Sequence, residues 1–491
     1  MIPTLISAVF TALTMPGFFL GPLVWVALVP FILALKKSKP GRGFLLGFLF
    51  GYVMMTISLY WQLPTLSKNV PEVLRSFPNW VGFLTFWLLG AVEALPFAGT
   101  GLIYSFLSKR FVRRPWMDAV AFATTYTVFE YLRGIGDLGF TGSRLSDALY
   151  WNTGFVASLS VWGTLGLTWF VAFVNSRIGE WMQSIRRNRI LNVLIVVAAL
   201  NGIGVMVTAF LPSITLDESS AFKVYAVQTN VPQQVKYSGR IEQLLSTFER
   251  FAIDAPSDVD VVIFPEATFM RDMRNDHHGS KLIALSREKG APILVGFPHA
   301  KDGKAYNSVW LVDPNEGFTD QSYSKVKLTP FAEMLPYPWL FGAFKFLKLL
   351  NYYEPGSGFP TFQINGKTLG VMICFESYFS KVSRELVRNN ATALVVATND
   401  GWFESGVALT QHFVQSSFRA AEYGRYVLQV SNTGITGLFD PYGRLVYRLP
   451  KWREGAHTFV IPQRSGRTIF YYVGRYIPLI LVGILLMLVF L

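Results

Sequence analysis

Cysteine is nearly absent: Cys374 is the one thiol in 491 residues. A lone cysteine excludes an internal disulfide framework and a multi-cysteine metal site. Histidine is scarce as well. The five, at positions 277, 278, 299, 412 and 457, show no H-E-x-x-H or comparable metal spacing, so no metal and no cofactor is expected. Charge is thin, at 15% of residues against 51% hydrophobic, and mean hydropathy is +0.35. Soluble chains rarely show that balance, whereas polytopic membrane proteins do. Internal repeats and low-complexity tracts are missing too.

The formal net charge of +13 invites a polyanion reading, which its distribution excludes. Residues 221–463 carry 25 Lys/Arg against 22 Asp/Glu, while the remainder carries 19 against 9. The excess therefore lies beside apolar segments, where cytosolic anchoring accounts for it. No nucleic-acid partner is expected.

What the chain does have is apolar length. Seven stretches precede residue 221, at 2–19, 20–35, 43–62, 79–107, 116–132, 153–174 and 190–211, and an eighth runs over 469–491. Most reach the roughly 17–25 residues a membrane-crossing helix needs, and the second and fifth are marginal. The first lacks a basic leader and a clear cleavage site, so it reads as a retained helix. The segments 36–42, 108–115 and 176–189 hold four Lys/Arg each, and the alternate loops 63–78 and 133–152 hold two each. The basic loops belong in the cytoplasm. Residues 221–463 are then expected outside a bacterial inner membrane, on the periplasmic side, with the last helix returning to the cytosol. The expected organisation is helices one to seven in 1–212, an extracytoplasmic domain in 221–463, and a final helix in 469–491. Two carboxylates fall within apolar segments, where ionisable groups are costly. Glu130 has Arg133 one turn on and reads as a structural ion pair; Glu93 has no sequence-local partner.

Residues 221–463 alternate short apolar strands with amphipathic runs. KVYAVQTN, DVVIFPEAT, APILVGF, TLGVMICFES, TALVVATND and YVLQVSNTG read as strands ending in polar residues, and 240–254, 279–289 and 377–389 as helices. That is a layered α/β domain with reactive groups at strand ends. Between them, residues 335–353 are unusually aromatic and apolar, rimmed by Lys345 and Lys348. They read as a segment that dips into the lipid interface and gates a site, or as a helix packed on the core.

Three places carry chemistry. Glu266 follows a proline at a buried strand end, where desolvation raises a carboxylate pKa and suits a general base. Lys325 and Glu333 share the segment YSKVKLTPFAE, and a lysine beside a reacting carbonyl supplies charge to a developing oxyanion. Cys374, with Glu376 two residues on, ends an apolar strand and enters a helix, a placement that favours a thiolate nucleophile. Each alone is weak, since rim carboxylates, solvated lysines and buried cysteines are common.

The ordered set F-P-E-A, then Y-x-K-x-x-L-x-P-F-x-E, then C-x-E is specific. On these residues the chain resembles the nitrilase superfamily and, within it, the apolipoprotein N-acyltransferase branch, where such a domain is inserted before the last of about eight membrane helices. FEYLRG at 129–134, VQTNVPQ at 227–233, NDGWF at 399–403, and RAAEYGR followed by SNTG at 419–434 extend the likeness. The resemblance implies a membrane α-helical bundle of about eight transmembrane helices plus a nitrilase-like αββα sandwich. It implies Glu266 as base, Lys325 as oxyanion-stabilising lysine and Cys374 as acyl-accepting nucleophile. Glu333, Glu376, Phe375, Trp402 and Tyr237 are implied as supporting residues. Phe375 stands where many relatives have tyrosine, and Tyr237 where tryptophan is common; both keep an aromatic. His412 reads as a structural histidine near that site. The implied reaction passes an acyl chain from a phospholipid, phosphatidylethanolamine foremost, through a thioester on Cys374 to the α-amine of a diacylglyceryl apolipoprotein. Two rivals are a membrane-anchored amidase or nitrilase that uses water as acceptor, and a non-enzymatic transporter or scaffold. Eight helices exceed what an anchor needs, and an intact triad argues against a degenerate domain.

Overall fold

The computed structural model describes residues 1–75, 77–184, 187–210, 221–343 and 353–491. Residues 344–352 of the expected gating segment, Lys345 and Lys348 included, lie outside the described residues.

The helical part comprises α1 (Ile2–Leu13), α2 (Val29–Lys36), α3 (Pro40–Ser58), α4 (Asn79–Arg110), α5 (Pro115–Arg133), α6 (Leu159–Ser184) and α7 (Arg187–Phe210). Among the described residues four helices are long and apolar enough to cross a membrane: Pro40–Ser58, Asn79–Arg110, Leu159–Gln183 and Ile469–Phe490. Shorter apolar helices cover 2–13, 21–36 and 197–208. The first expected span stops at Leu13 because Pro16 has no amide to donate and Gly17 adopts φ +87°. The second is broken, with a 3₁₀ turn at Gly21–Trp25 before α2.

α3 and α4 approach until their backbones touch. Gly43, Gly47 and Gly51 recur every four residues along one face of α3. A Cβ on Gly47 would sit 2.1 Å from the Phe97 carbonyl oxygen, and one on Gly101 would sit 2.1 Å from that of Gly43. Small residues at this spacing let helices pack closely where lipid offers no hydrophobic drive. Glu93 of α4, which has no local partner, meets Arg133 of α5 at 3.0 Å, and Arg133 also reaches Glu130 at 3.3 Å.

The α/β part holds two six-stranded sheets. One runs β12-β1-β2-β3-β4-β5 and the other β11-β10-β9-β8-β7-β6. Their strands are β1 (Phe222–Gln228), β2 (Val261–Ile263), β3 (Ile293–Lys301), β4 (Lys304–Asp313), β5 (Gly317–Ser324), β6 (Thr361–Ile364), β7 (Lys367–Ile373), β8 (Ala393–Thr398), β9 (Val427–Ser431), β10 (Gly437–Phe439), β11 (Leu445–Arg448) and β12 (Gly455–Ile461). β1, β2 and β3 are parallel, as are β7, β8 and β9. The inner faces share one core in which Val224, Ile263 and Leu294 oppose Val371, Val395 and Leu428. Helices α8 (Ile241–Asp254) and α9 (Gly279–Lys289) cover one outer face. α10 (Ser380–Arg388) and α11 (Gly406–Tyr423) cover the other. The result is the αββα sandwich that the resemblance implies.

α11 belongs to two cores. Leu409 and Phe413 pack on the sheet, while Ala408, Val414, Phe418 and Ala421 join the apolar core of the helical bundle. Its polar side chains, Gln411, His412, Gln415, Arg419 and Glu422 among them, are buried along with the apolar ones, so no exposed polar face sets it apart and pattern reading overlooks it. The chain then ends in a kinked span, α12 (Ile477–Phe490), preceded by Ile469–Val473 and a 3₁₀ turn.

The α3–α4 contact sets a test. Gly47→Leu should lower the melting temperature of the purified protein, because overpacking costs about 1–3 kcal/mol or more. Gly41→Ala, where a Cβ meets nothing within 4 Å, should leave it unchanged. Equal melting temperatures for both variants would refute the close packing.

Candidate active site

The site lies beyond the carboxyl ends of parallel strands, where strand-end residues can point into one crevice. β2 delivers Glu266 three residues past Ile263, β5 delivers Lys325 directly after Ser324, and β7 delivers Cys374 directly after Ile373. Two of these junctions are backbone-strained. Cys374 has φ +51° and Ala267, following Glu266, has φ +49°. Left-handed backbone at non-glycine residues is costly and persists where surrounding contacts impose it.

Lys325 is 1% exposed. Its ammonium lies 2.6 Å from Glu333 Oε2 and 3.6 Å from Glu266 Oε1. Burial works against its charge, but Glu333 and Glu266 more than offset that and hold its pKa above the ordinary lysine value. Burial likewise works against the Glu333 carboxylate, and Lys325 overcomes it, so Glu333 stays below the usual range. The Asn307 side-chain amide donates to Glu266 at 2.8 Å and to Glu333 at 2.7 Å. The Asn399 backbone N–H donates to Glu266 Oε2 at 2.9 Å. Both oxygens of Glu266 are thus directed.

Cys374 is partly accessible. Burial of its sulfur and the nearby Glu266 push its pKa well up, against the opposing pull of Lys325. The resting group is therefore a thiol. The expected helix after it is a single 3₁₀ turn, Cys374–Tyr378, and the α-helix begins only at Ser380. The thiolate accordingly has to be made by proton removal. The sulfur, a carboxylate oxygen of Asp400 and a ring nitrogen of His412 lie within 4.8 Å of one another.

Glu376 is fully buried and accepts four donors. These are Ile373 N at 2.8 Å, Val326 N at 2.8 Å, Lys327 N at 3.0 Å and Tyr323 Oη at 2.9 Å. It ties the end of β7 to the loop that carries Lys325. Burial raises its pKa to about 7 against those backbone donors.

The aromatic supports divide. Tyr237 and Trp402 pack ring on ring at 5.4 Å. The Trp402 carbonyl accepts from Asn69 at 3.1 Å and from Thr65 at 3.4 Å, both in the helical part. The Phe375 ring turns toward the bundle and stacks on Phe140 at 6.2 Å. Its backbone, not its ring, adjoins Cys374. Further contacts bind site to bundle. The Tyr378 carbonyl accepts from Thr141 at 2.6 Å, and the Lys327 ammonium donates to the Gly136 carbonyl at 2.8 Å.

Sequence reasoning passed over Asn307 and Lys236. Asn307 lies mid-strand in β4 with no motif around it. Lys236, 2% exposed, donates to the Ala267 carbonyl at 2.8 Å, and burial lowers its pKa to about 7 against the pull of Glu266. Asn399 and Asp400 sit in the NDGWF run without a role assigned to them.

A double-sheet sandwich with Glu, Lys and Cys at its strand ends, joined to apolar helices, defines the class: a protein of the carbon-nitrogen hydrolase fold carried on a membrane bundle. Residues 223–468 match the carbon-nitrogen hydrolase family, and residues 7–177 match the apolipoprotein N-acyltransferase N-terminal domain. The chain belongs to the apolipoprotein N-acyltransferase family. It is 42% identical over 472 residues to the apolipoprotein N-acyltransferase of Thermotoga maritima, covering 96% of this chain and 89% of that protein. The one from Geobacter metallireducens is 27% identical, covering 91% and 87%. The solved amidase of Nesterenkonia sp. aligns with 50% of this chain and 92% of its own, at 16% identity and a TM-score of 0.39.

Glu376→Gln turns one acceptor into a donor facing N–H groups. It should destabilise the protein by about 1–3 kcal/mol. The pH dependence follows from the raised pKa. The folded state holds a proton here that the unfolded state has already lost, from the ordinary carboxylate range up to about 7. Stability from this group therefore falls as pH rises through that window. Melting curves of the wild type should drop between about pH 5 and pH 7.5, and those of the glutamine variant should be flatter. Parallel curves would contradict the assignment.

Proposed function

We propose that Cys374 is the acyl-accepting nucleophile, Glu266 its base and Lys325 the cation that holds the oxyanion, in a ping-pong phospholipid:apolipoprotein N-acyltransferase. The observation that carries this reading is the Lys325 ammonium clamped between Glu333 and Glu266 beside the backbone-strained Cys374. Glu266 takes the thiol proton as sulfur attacks the acyl ester carbonyl. The tetrahedral oxyanion is met by the Lys325 ammonium and the Phe375 backbone N–H, charge aimed where charge develops. Collapse breaks the ester C–O bond, the proton passes from Glu266 to the departing alkoxide, and lysophospholipid leaves. The thioester persists while water is excluded. The α-amine of a diacylglyceryl cysteine then attacks, Glu266 takes its proton, collapse breaks the C–S bond to form the amide, and Glu266 returns the proton to the departing sulfur, restoring the thiol.

Asn307, Glu333 and Glu376 act through others. Asn307 orients Glu266, Glu333 charge-balances Lys325, and Glu376 fixes the nucleophile's strand end against the lysine loop. Tyr237 and Trp402 form an aromatic wall for acyl chains. The donor we favour is phosphatidylethanolamine through its sn-1 chain. We place the helical parts, 1–212 with seven helices and 469–491 with the eighth, in the bacterial inner membrane, and 221–463 on the periplasmic side. Lipid substrates then reach the site sideways from the bilayer. The twelve-to-four distribution of basic residues between alternate loops supports that orientation.

Incubation with phospholipid alone should load one acyl chain on Cys374, seen by intact mass. Cys374→Ser should remove the adduct and all transfer, because an alkoxide is far harder to generate beside a carboxylate than a thiolate. Lys325→Ala should slow both loading and the chase with diacylated peptide by about 10²–10³. Full activity of the serine variant, or normal rates in the alanine variant, would refute the respective role.

Orientation has its own test. In a Cys374→Ala background, an impermeant thiol reagent on spheroplasts should label a cysteine placed at Lys301 and spare one at Lys37. The reverse pattern would put the α/β domain in the cytosol.

A further inference from the structure

His412 lies on α11 and is 3% exposed, and Asp400, its partner, is fully buried. Nδ1 of His412 is 2.7 Å from Asp400 Oδ1. Nε2 is 3.1 Å from the Cys374 carbonyl oxygen and 3.1 Å from Ser377 Oγ. The Tyr378 ring stacks parallel on the imidazole, 5.6 Å away at 4°. Asp400 also receives Thr398 Oγ1 at 3.0 Å and Ser431 Oγ at 3.1 Å, so its carboxylate is surrounded by donors and stays an acceptor.

Nδ1 faces a carboxylate, which cannot donate, and Nε2 faces both the Cys374 carbonyl, which cannot donate, and the Ser377 hydroxyl, which can. Only a ring protonated at both nitrogens donates to the carboxylate and to the carbonyl at once. The charged ring then donates to the carbonyl of Cys374. That carbonyl belongs to the same peptide unit as the Phe375 N–H. A charge-assisted hydrogen bond to an amide oxygen draws electron density from its nitrogen and makes the N–H a stronger donor.

We propose that His412, charged by its pairing with Asp400, is a positioning residue that polarises the Cys374–Phe375 peptide and strengthens the Phe375 N–H as an oxyanion donor. It also holds the left-handed turn at Cys374 from the carbonyl side. The inference rests on the assignment of Cys374 as nucleophile and Phe375 N–H as a donor to the oxyanion. The role is absent from the sequence signature because the carbonyl it grips belongs to every residue type.

The charged and titratable groups around the ring are few. Asp400 comes from the turn after β8, Cys374 and the Tyr378 phenol from the nucleophile turn, and Glu266 from the loop after β2. Arg419 of α11 binds the Tyr378 carbonyl at 3.1 Å, and Asp147 of the bundle acts on Tyr378. Burial disfavours charge on His412, and Asp400 overcomes this, holding its pKa above the ordinary histidine value. Sign follows directly: the imidazolium persists to higher pH than that of an ordinary histidine and is lost as pH rises through that elevated value.

The test uses full-length protein in lipid nanodiscs. Single-turnover acyl loading from phosphatidylethanolamine vesicles and the chase with diacylglyceryl peptide are measured across pH in the wild type, His412→Gln and Asp400→Asn. His412→Gln should slow both steps on the order of 10-fold, less than loss of a whole oxyanion donor, with KM changed under about 2-fold. Asp400→Asn should move the alkaline fall in rate to lower pH. In wild type, nitrogen-15 resonances of the histidine missing from the His412→Gln spectrum should report two protonated ring nitrogens at pH 7. A neutral ring there overturns the proposal even if the variants misfold. Wild-type rates in His412→Gln, or an effect on KM alone, also overturn it. Cys374→Ser separates the two ideas: if it is inactive while His412→Gln is normal, only this inference fails; if it retains activity, the nucleophile assignment fails.

Discussion

One buried ammonium must serve two carboxylates, and the architecture around the site follows from that constraint. Lys325 has almost no contact with water and sits between Glu333 and Glu266. Removing one partner of a buried ion pair leaves an uncompensated charge and typically costs about 3–5 kcal/mol. Every element that places the three groups is consequently held hard. Asn307 bridges the two carboxylates from β4, and Glu376 joins the lysine loop to the end of β7 through four hydrogen bonds. The cluster keeps a lysine cationic in a dry place, and fixed charge in a dry site acts on a reaction more strongly than the same charge in water.

The second organising feature is the way the sandwich leans on the helices. α11 lies in both cores at once, so among the described residues the α/β domain packs directly on the helices. Polar contacts reinforce the apolar ones. Arg419 and Thr141 share the Tyr378 carbonyl, one from α11 and one from the bundle loop. Such bonds fix the distance between the Cys374 turn and the helices, which a reaction between two lipid-borne substrates requires.

Much of this is visible before any coordinates. The six strand runs and three helices read in residues 221–463 all appear within a few residues of their expected bounds, because parallel strands buried on both faces leave near-continuous apolar runs. Glu266 and Cys374 stand at the carboxyl ends of two such runs, whereas Lys325 follows the polar strand β5 and is read from its own segment, YSKVKLTPFAE. α11 hides because it is buried all round, its polar side chains included, so no solvent-facing stripe marks it. Asn307 and Lys236 hide because their value lies in a contact made across the fold, not in local pattern. Glu93 finds Arg133 forty residues away on a neighbouring helix, a partner no local spacing reveals. The helical end is harder still. Breaks at Pro16, at the 3₁₀ turn 21–25 and at 474–476 divide apolar stretches that hydropathy alone joins.

The loop at 136–141 touches both halves of the chemistry. Gly136 accepts the Lys327 ammonium, Asp137 accepts the Tyr337 N–H at 2.9 Å, and Thr141 grips the turn that begins with Cys374. A soluble enzyme cut from this chain would lose all three anchors together. The strand ends would still converge, but the two loops that carry Lys325 and Cys374 would each gain a free edge. An engineer wanting a water-soluble acyl-transfer catalyst from this scaffold would have to graft the six-residue loop along with the sandwich, or design replacement donors for the Tyr378 carbonyl and a new acceptor for Lys327.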